Sequence, residues 1–482
     1  MLQGQAYPGG AFDGKKRRQH GGRGRDQCGH VSQRGAVLSR NMELFVREDG
    51  KTLRCGYTTG TTAALASYAA ARLFITGKGS PTVSLCIPAG ITVEAEVEVS
   101  GFNDCISGKS CGQKTGHAAA REKEEHGENE EYRENSPQCA VCGVRKDGGD
   151  DRDVTDNLLI LAKIEPVNGT EAGDAEKMGK RVILKAGEGI GTVTKPGLFV
   201  PVGEAAINPV PRRMIEDAVI KAMQETGYEG MLKCTLSVPE GKKAAASTFN
   251  ERLGIVGGIS IIGTTGIVEP MSRRAYSDAV CLEIRQQAAI GKKKLILTPG
   301  NYGEAFIKEL LSKEPAFEDE TFSEAVRGLR KEFLKDPDKL CVVMCSNFIG
   351  DALDEAIADD FERVLIAGHA GKLVKLAGGI MDTHSRIADC RLELICAHAA
   401  LCGASRALAE RIMASVTTDA AFDLLEEEDR DLRDAIVKSL MGAIDLHLKE
   451  RVRKHERESS LKPKALLFTI KDGEYRILGI TE

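Results

Sequence analysis

GEGIGTVTKPGLFVPVGEAAINPVPRRM, residues 187–214, combines more glycines, prolines and cations than any other run of the chain without reading as a flexible linker. Val182-Ile183-Leu184 leads into it as an apolar strand. Gly187, Gly189 and Gly191 then allow turns where a Cβ would clash, which would leave bare amides to face a ligand. Asn208 followed by Pro209 and Pro211 marks a helix start. Met214, Ile215, Ala218, Val219, Ala222 and Met223 recur at helical spacing until Gly227 stops the pattern. The order is strand, glycine loop, extended crossing, helix.

The surrounding 482 residues are 42% hydrophobic and 28% charged, the balance of an ordinary globular protein with two or three domains. The net charge of −5 hides an asymmetry: residues 1–41 hold eight Lys/Arg against two Asp, leaving the remainder near −11. A nucleic-acid binder is usually basic in its folded part, so nucleic acid is not an expected partner. No apolar run approaches the roughly 20 residues that span a bilayer. No signal peptide opens the chain, and fourteen scattered cysteines fit a reduced compartment, so the expected location is cytoplasmic without membrane attachment.

Residues 1–41 offer little to bury and read as a disordered tail. Met42 opens a normal folded sequence and is the expected true start of translation. The stretch from Arg54, RCGYTTGTTAALASYAAARLFITG, predicts a helix of small residues capped by Thr59 or Thr61 and ended by Gly77. Val83–Ile87 and the alternating Ile91–Val99 form a hairpin. Residues 102–140 break the pattern with Cys105, Cys111, His117, His126, Cys139 and Cys142 among many glutamates. Zinc binding and a lineage-specific insertion both stay open there. Asp147, Asp150, Asp151 and Asp153 share a glycine turn that could hold a cation or be a solvated loop. Leu232–Val238 is a strand. Thr248–Met271 is a second glycine-rich passage, expected as a strand packed on a helix, and Ser272 caps a helix to Ala289.

Three apolar runs beginning at Leu295, Leu340 and Arg363 each precede a small-residue turn and a helical pattern, which is repeated β-α and hence a parallel sheet. The turns are Pro299–Gly303, Cys345–Asp351 and Gly368–Lys372, at strand ends where open α/β sheets bind ligands. None is a full dinucleotide fingerprint. Residues 404–458 are helical and charged, and Ala465–Ile470 pairs with Tyr475–Ile480 around Asp472-Gly473.

RCGYTTGTTAA, VRKDGGDDRDVT, the opening stretch, FNERLGIVGGISIIGTTGIVEPMS, LTPGNYG, SNFIGDALDEA and AGHAGKLVKLAGGIMDTHSR together resemble, in content and order, the cobalt-precorrin-5B C1-methyltransferase family (CbiD) of anaerobic cobalamin biosynthesis. The likeness covers roughly residues 42–101 and 141–482. The chain departs from the family in its tail, its Cys/Glu insertion, Thr62 where cysteine is common, Gly148 for alanine and Arg152 for proline. The resemblance implies an N-terminal α+β two-layer domain over residues 42–290 and a Rossmann-like parallel-sheet domain over residues 291–482 with a helical extension. It also implies methyl transfer from S-adenosylmethionine to carbon 1 of a cobalt-bearing tetrapyrrole that brings its own metal, so no protein metal site is expected.

Holding a sulfonium methyl in line with a nucleophilic ring carbon and excluding water are the main demands of such a transfer. A base, if needed, would come from His369, Asp382 or His384. Gly300, Asn301, Gly303, Ser346, Asn347 and Asp351 are the candidates for the donor, through backbone groups and an acid for the ribose. Lys195, Arg212, Arg213, Lys372 and Arg386 are the cations lodged inside motifs and suit carboxylate arms of the substrate. Two other readings stay open: a nicotinamide-dependent reductase of the same pathway and a non-catalytic tetrapyrrole-binding protein. A homo-oligomer is equally open.

Overall fold

A computed structural model describes residues 37–38, 43–48, 50–102, 138–167, 169–312 and 320–481. Most of the 1–41 tail, and Cys105, Cys111, His117 and His126 of the insertion, lie outside them. In chain order the first region holds β1 (Val37–Leu38), β2 (Phe45–Glu48), β3 (Lys51–Arg54), β4 (Gly56–Tyr57), α1 (Thr59–Thr76), β5 (Thr82–Cys86), β6 (Thr92–Phe102), β7 (Ala140–Arg145) and β8 (Leu159–Pro166). It continues through α2 (Gly169–Lys177), β9 (Val182–Ala186), β10 (Thr192–Val193), α3 (Pro209–Thr226), β11 (Leu232–Ser237), α4 (Gly241–Ala245), β12 (Ile255–Val256) and β13 (Ile267–Val268).

A mixed sheet of order β1-β6-β7-β8-β11-β9, with β5 also on β6, backs this region. The expected hairpin is β5 against β6, with Val83 opposite Ala95. β6 and β7 are antiparallel neighbours, so the fold resumes at Ala140, before the Val144 expected from sequence. The end of the presumed tail is attached to this sheet, because Val37 pairs with Thr92. α1 is buried along almost its whole length. Its alanines and Gly60 let α3 and the sheet approach on both sides, which larger side chains would prevent. Thr58, not Thr59 or Thr61, caps it: the Thr58 side chain accepts from the Thr61 N–H, while Thr61 and Thr59 donate their hydroxyls to Gly266 O and Ile262 O.

The opening glycine stretch follows the expected order, with β9 leading in and α3 leading out. Its amides, however, do not face outward. Gly187 N–H donates to Leu236 O at 2.6 Å and Gly191 N–H to Ile259 O at 2.9 Å. A Cβ on Gly189, whose φ is +77°, would lie 1.8 Å from Val238 O, so this glycine is a crossing of two backbones. The second glycine passage is not the expected strand. It is irregular apart from β12, which pairs with β10, and β13, which pairs with β4. A Cβ on Gly258 would meet Gly189 O at 2.2 Å, and one on Gly263 would meet Thr58 Oγ1 at 2.2 Å. The two passages are therefore threaded against each other and against the start of α1.

The second region begins with α5 (Arg273–Ala289), capped by Ser272 as expected. β14 (Lys294–Thr298), α6 (Asn301–Ser312), α7 (Glu320–Leu334), β15 (Leu340–Met344), α8 (Ile349–Ala358), β16 (Arg363–His369) and α9 (Ala370–Leu373) follow. Then come α10 (Arg391–Leu401), α11 (Arg406–Met413), α12 (Thr418–Glu428), α13 (Arg430–Lys454), β17 (Lys462–Lys471) and β18 (Glu474–Ile480). The sheet order is β15-β14-β16-β17-β18, parallel except for β18. The closing hairpin turns at Asp472 and Gly473, both with positive φ, as an Asp-Gly turn should. One core, around Leu295, Val364, Leu353 and Leu440, lies on one face; another, around Phe306, Phe333 and Phe468, lies on the other. Ile284 of α5 is fully buried in the first of these, so the helix over 273–289 packs with the second region although the sequence assigned it to the first. No helix among the described residues is long and apolar enough to cross a membrane.

Candidate functional site

β14, β15 and β16 end side by side, and the three turns meet there. Gly300, with φ +118°, leaves an opening in which an added Cβ would sit 3.5 Å from Lys372 Nζ. The same ammonium donates to Ser346 O at 3.4 Å, and Ser346 itself holds φ +53°, a strained conformation for a residue with a Cβ. Burial pushes the Lys372 amine below its ordinary pKa. Behind Ser346, burial raises the Cys345 thiol to about 12, so it stays protonated. Thr298 is fully buried and its Oγ1 has no partner. Asn301 is exposed at the start of α6, while an added Cβ on Gly303 would meet Ala367 O at 2.9 Å. Gly300, Ser346 and Lys372 are thus brought together, and Gly303 is a packing glycine of the same turn.

His369 closes β16 and caps α9. Its Nδ1 accepts the Gly371 N–H at 3.1 Å, so the proton of the neutral ring is on Nε2, which donates to Asp419 Oδ1 at 2.9 Å. Burial would raise the Asp419 carboxyl, but His369 and backbone N–H groups outweigh it and hold it below the usual range. Asp382 and His384 lie on the next loop. Thr383 N–H donates to Asn347 O at 3.0 Å and Thr383 Oγ1 reaches Asn347 Oδ1 at 3.3 Å, so Asn347 ties this loop to the turn after β15. The loop is supported from inside by Lys375, 3% exposed, which donates to Thr383 O at 3.0 Å and Ala388 O at 2.8 Å.

Several candidates are already engaged. Asp382 is ion-paired with Arg273, whose guanidinium also lies 5.5 Å from the Phe348 ring centroid. Asp351 accepts the Ser277 hydroxyl. Both carboxylates line a depression of about 610 Å³ between α5 and α8, outside the strand-end opening. Arg386 pairs with Glu48 at 2.6 Å.

Lys195, Arg212 and Arg213 sit elsewhere, on the threaded glycine stretches. The Lys195 stem covers Gly254, Arg212 reaches Glu204 at 3.5 Å, and Arg213 is exposed. The same stretches expose Phe199, Val202, Phe249, Val256, Ile262 and Met271. What faces outward is therefore apolar side chains and cations rather than amides. Arg252, not singled out from sequence, stands over the Phe249 ring at 5.9 Å and, with Glu304 and Met344, lines a small cavity beside the end of β15.

Arg252, Arg273, Lys375 and Asp419 were all missed in the sequence. Arg252 and Lys375 lie within quoted motifs, and Arg273 directly follows one, where its position just after the Ser272 cap was the available signal. Nothing local marks Asp419. The acidic turn is consumed by the protein: Asp147 binds Arg54 in a two-pronged pair at 2.6 and 2.7 Å, Asp150 accepts Arg54 N–H at 2.7 Å, and Asp153 pairs with buried Lys146 at 2.6 Å. Cys139 and Cys142 are buried, and no three His, Cys, Asp or Glu among the described residues form a metal-holding group.

Comparison with known proteins covers both regions. A CbiD family model matches residues 46–118 and 119–270, and a CbiD C-terminal domain model matches residues 382–482. The cobalt-precorrin-5B C(1)-methyltransferase of Ruminiclostridium cellulolyticum is 40% identical over 412 residues, covering 85% of this chain and 88% of that protein. The protein of the same name from Treponema denticola is 36% identical over 433 residues, covering 90% and 99%. A crystal structure of the cobalamin biosynthesis protein CbiD from Archaeoglobus fulgidus aligns at 24% identity over 71% of this chain and 86% of that one. Its TM-score is 0.32, so it carries no argument about the arrangement here. On matches spanning both regions, the chain belongs to the CbiD family, that of the cobalt-precorrin-5B C(1)-methyltransferases.

Proposed function

We propose that this protein transfers the methyl group of S-adenosylmethionine to carbon 1 of cobalt-precorrin-5B, giving cobalt-precorrin-6A, in the cytoplasm. The observation that carries the reading is 36–40% identity to enzymes named for that step over more than four fifths of the chain. The geometry is in keeping with it. The second region, read as Rossmann-like, would take the donor at the strand ends, with Lys372, beside Ser346 O, meeting its carboxylate. Neither Asp351 nor Asp382 is an uncommitted acid for the ribose, so Gly300, Asn301, Ser346 and Asn347 would hold it chiefly through backbone and amide groups. When bound, the donor supplies an electrophilic methyl on a sulfonium.

The exposed apolar side chains of the glycine stretches suit the flat face of a macrocycle, and Lys195, Arg212, Arg213 and Arg252 suit its carboxylate arms. Of the three candidate bases, His369 has both ring nitrogens bonded and Asp382 is neutralised by Arg273. Positioning and water exclusion are then the chain's main contributions.

Calorimetry tests the assignment. S-adenosylmethionine should bind and NADPH should not; the reverse would favour a reductase and overturn the proposal. Arg212→Ala and Arg213→Ala should each weaken the tetrapyrrole about tenfold while leaving the donor's affinity unchanged. Unchanged tetrapyrrole affinity in both would remove the carboxylate role of this stretch.

A further inference from the structure

His384 is held in one tautomer, and that tautomer decides what it can do. Its Nδ1 accepts the Arg386 N–H at 3.2 Å, and a ring nitrogen that accepts an N–H carries no proton of its own. The neutral ring therefore keeps its proton on Nε2. That atom has no partner among the described residues, and the ring is half-exposed. The lone pair a general base would need is already used.

The arrangement is fixed from several directions. Asp382 Oδ1 accepts the His384 N–H at 3.1 Å, and His384 O accepts the Ile387 N–H at 3.0 Å. Lys375 grips the carbonyls of Thr383 and Ala388 from the protein interior. A buried ammonium bonded to two carbonyls is costly to place, and here it sets the conformation of the loop that carries His384. Asp382, already paired with Arg273, does not compete for it.

We propose that His384 is a substrate-positioning hydrogen-bond donor, its Nε2–H directed to a carboxylate arm of the tetrapyrrole, and not a base. The inference rests on the methyltransferase reading above.

His384→Asn separates this role from loop capping, because the shorter amide oxygen still accepts the Arg386 N–H but its nitrogen does not reach where Nε2 was. The variant should keep its thermal midpoint, keep kcat within about threefold and raise KM for the tetrapyrrole about tenfold, the worth of one hydrogen bond to a charged group. His384→Gln, which restores a donor at longer reach, should recover most of that loss. An unchanged KM in His384→Asn would reduce the residue to a cap and overturn the proposal. A hundredfold fall in kcat at unchanged KM in both variants would make it a base. Nitrogen-15 NMR of the wild-type protein without substrate gives an independent check: the proton should be on Nε2, and an Nδ1–H ring overturns the proposal. If wild-type protein does not methylate at all, the functional reading fails whichever tautomer is found.

Discussion

Lys146 has 1% of its side chain exposed and sits 2.6 Å from Asp153. A buried ammonium needs its partner, because removing one member of such a pair leaves the other charge desolvated and unpaired. Asp153→Asn should therefore lower the unfolding free energy by about 3 kcal/mol, measured by denaturant titration. Burial would by itself raise the Asp153 carboxyl, but Lys146 and Thr155 outweigh it and hold it below the ordinary range. A carboxyl depressed on folding adds stability above its unfolded pKa of about 3.9, and the gain is lost as acidification passes the folded value. The wild-type thermal midpoint should fall steeply below about pH 4, and that of Asp153→Asn less steeply; parallel curves would discount the pair. The acidic turn was visible in the sequence, whereas its use was not. Arg54 and Asp147 are 93 positions apart, and no local rule pairs them. Asp419 was hidden for the same reason, since its partner His369 lies 50 residues away.

Elements were more legible, because their ends carry chemistry. Gly77 and Gly227 close α1 and α3 in the left-handed conformation that the reading of stop signals required. The strands β14, β15 and β16 follow from short apolar runs before small-residue turns. The first glycine stretch differs from its sequence reading in one respect. In Gly187–Gly191 the missing side chains do not free amides for a ligand: a Cβ would meet the Val238 backbone at Gly189, the Ser237 side chain at Gly187 and the Ile255 side chain at Gly191. A sequence shows the missing side chain without showing which neighbour requires it. Gly189→Ala should accordingly destabilise the protein by about 3 kcal/mol or more, through both the 1.8 Å approach to Val238 O and the positive φ. A change within about 0.5 kcal/mol by denaturant titration would contradict the crossing.

At the scale of the molecule, the region backed by the mixed sheet and the region built on the parallel sheet each have their own core. They are joined across Arg386–Glu48 and the amide of Gln286, which donates to Leu253 O. Arg386, which the sequence offers to a carboxylate arm, serves one of these cross-links, and Asp382 is spent on Arg273 inside the second region, so both look more available in sequence than they are. The apolar and cationic face of the glycine stretches and the opening over Gly300 stay exposed, and these are the surfaces proposed for substrate and donor. The activity proposed for this protein is transfer of a methyl group to one ring carbon. The direct measurement is incubation of the protein with S-adenosylmethionine labelled with carbon-13 in the methyl group and with cobalt-precorrin-5B, followed by NMR of the isolated macrocycle. One new labelled methyl on carbon 1 is expected. A macrocycle that stays unlabelled while the enzyme supplying it is active, or one labelled at a different position, would contradict it.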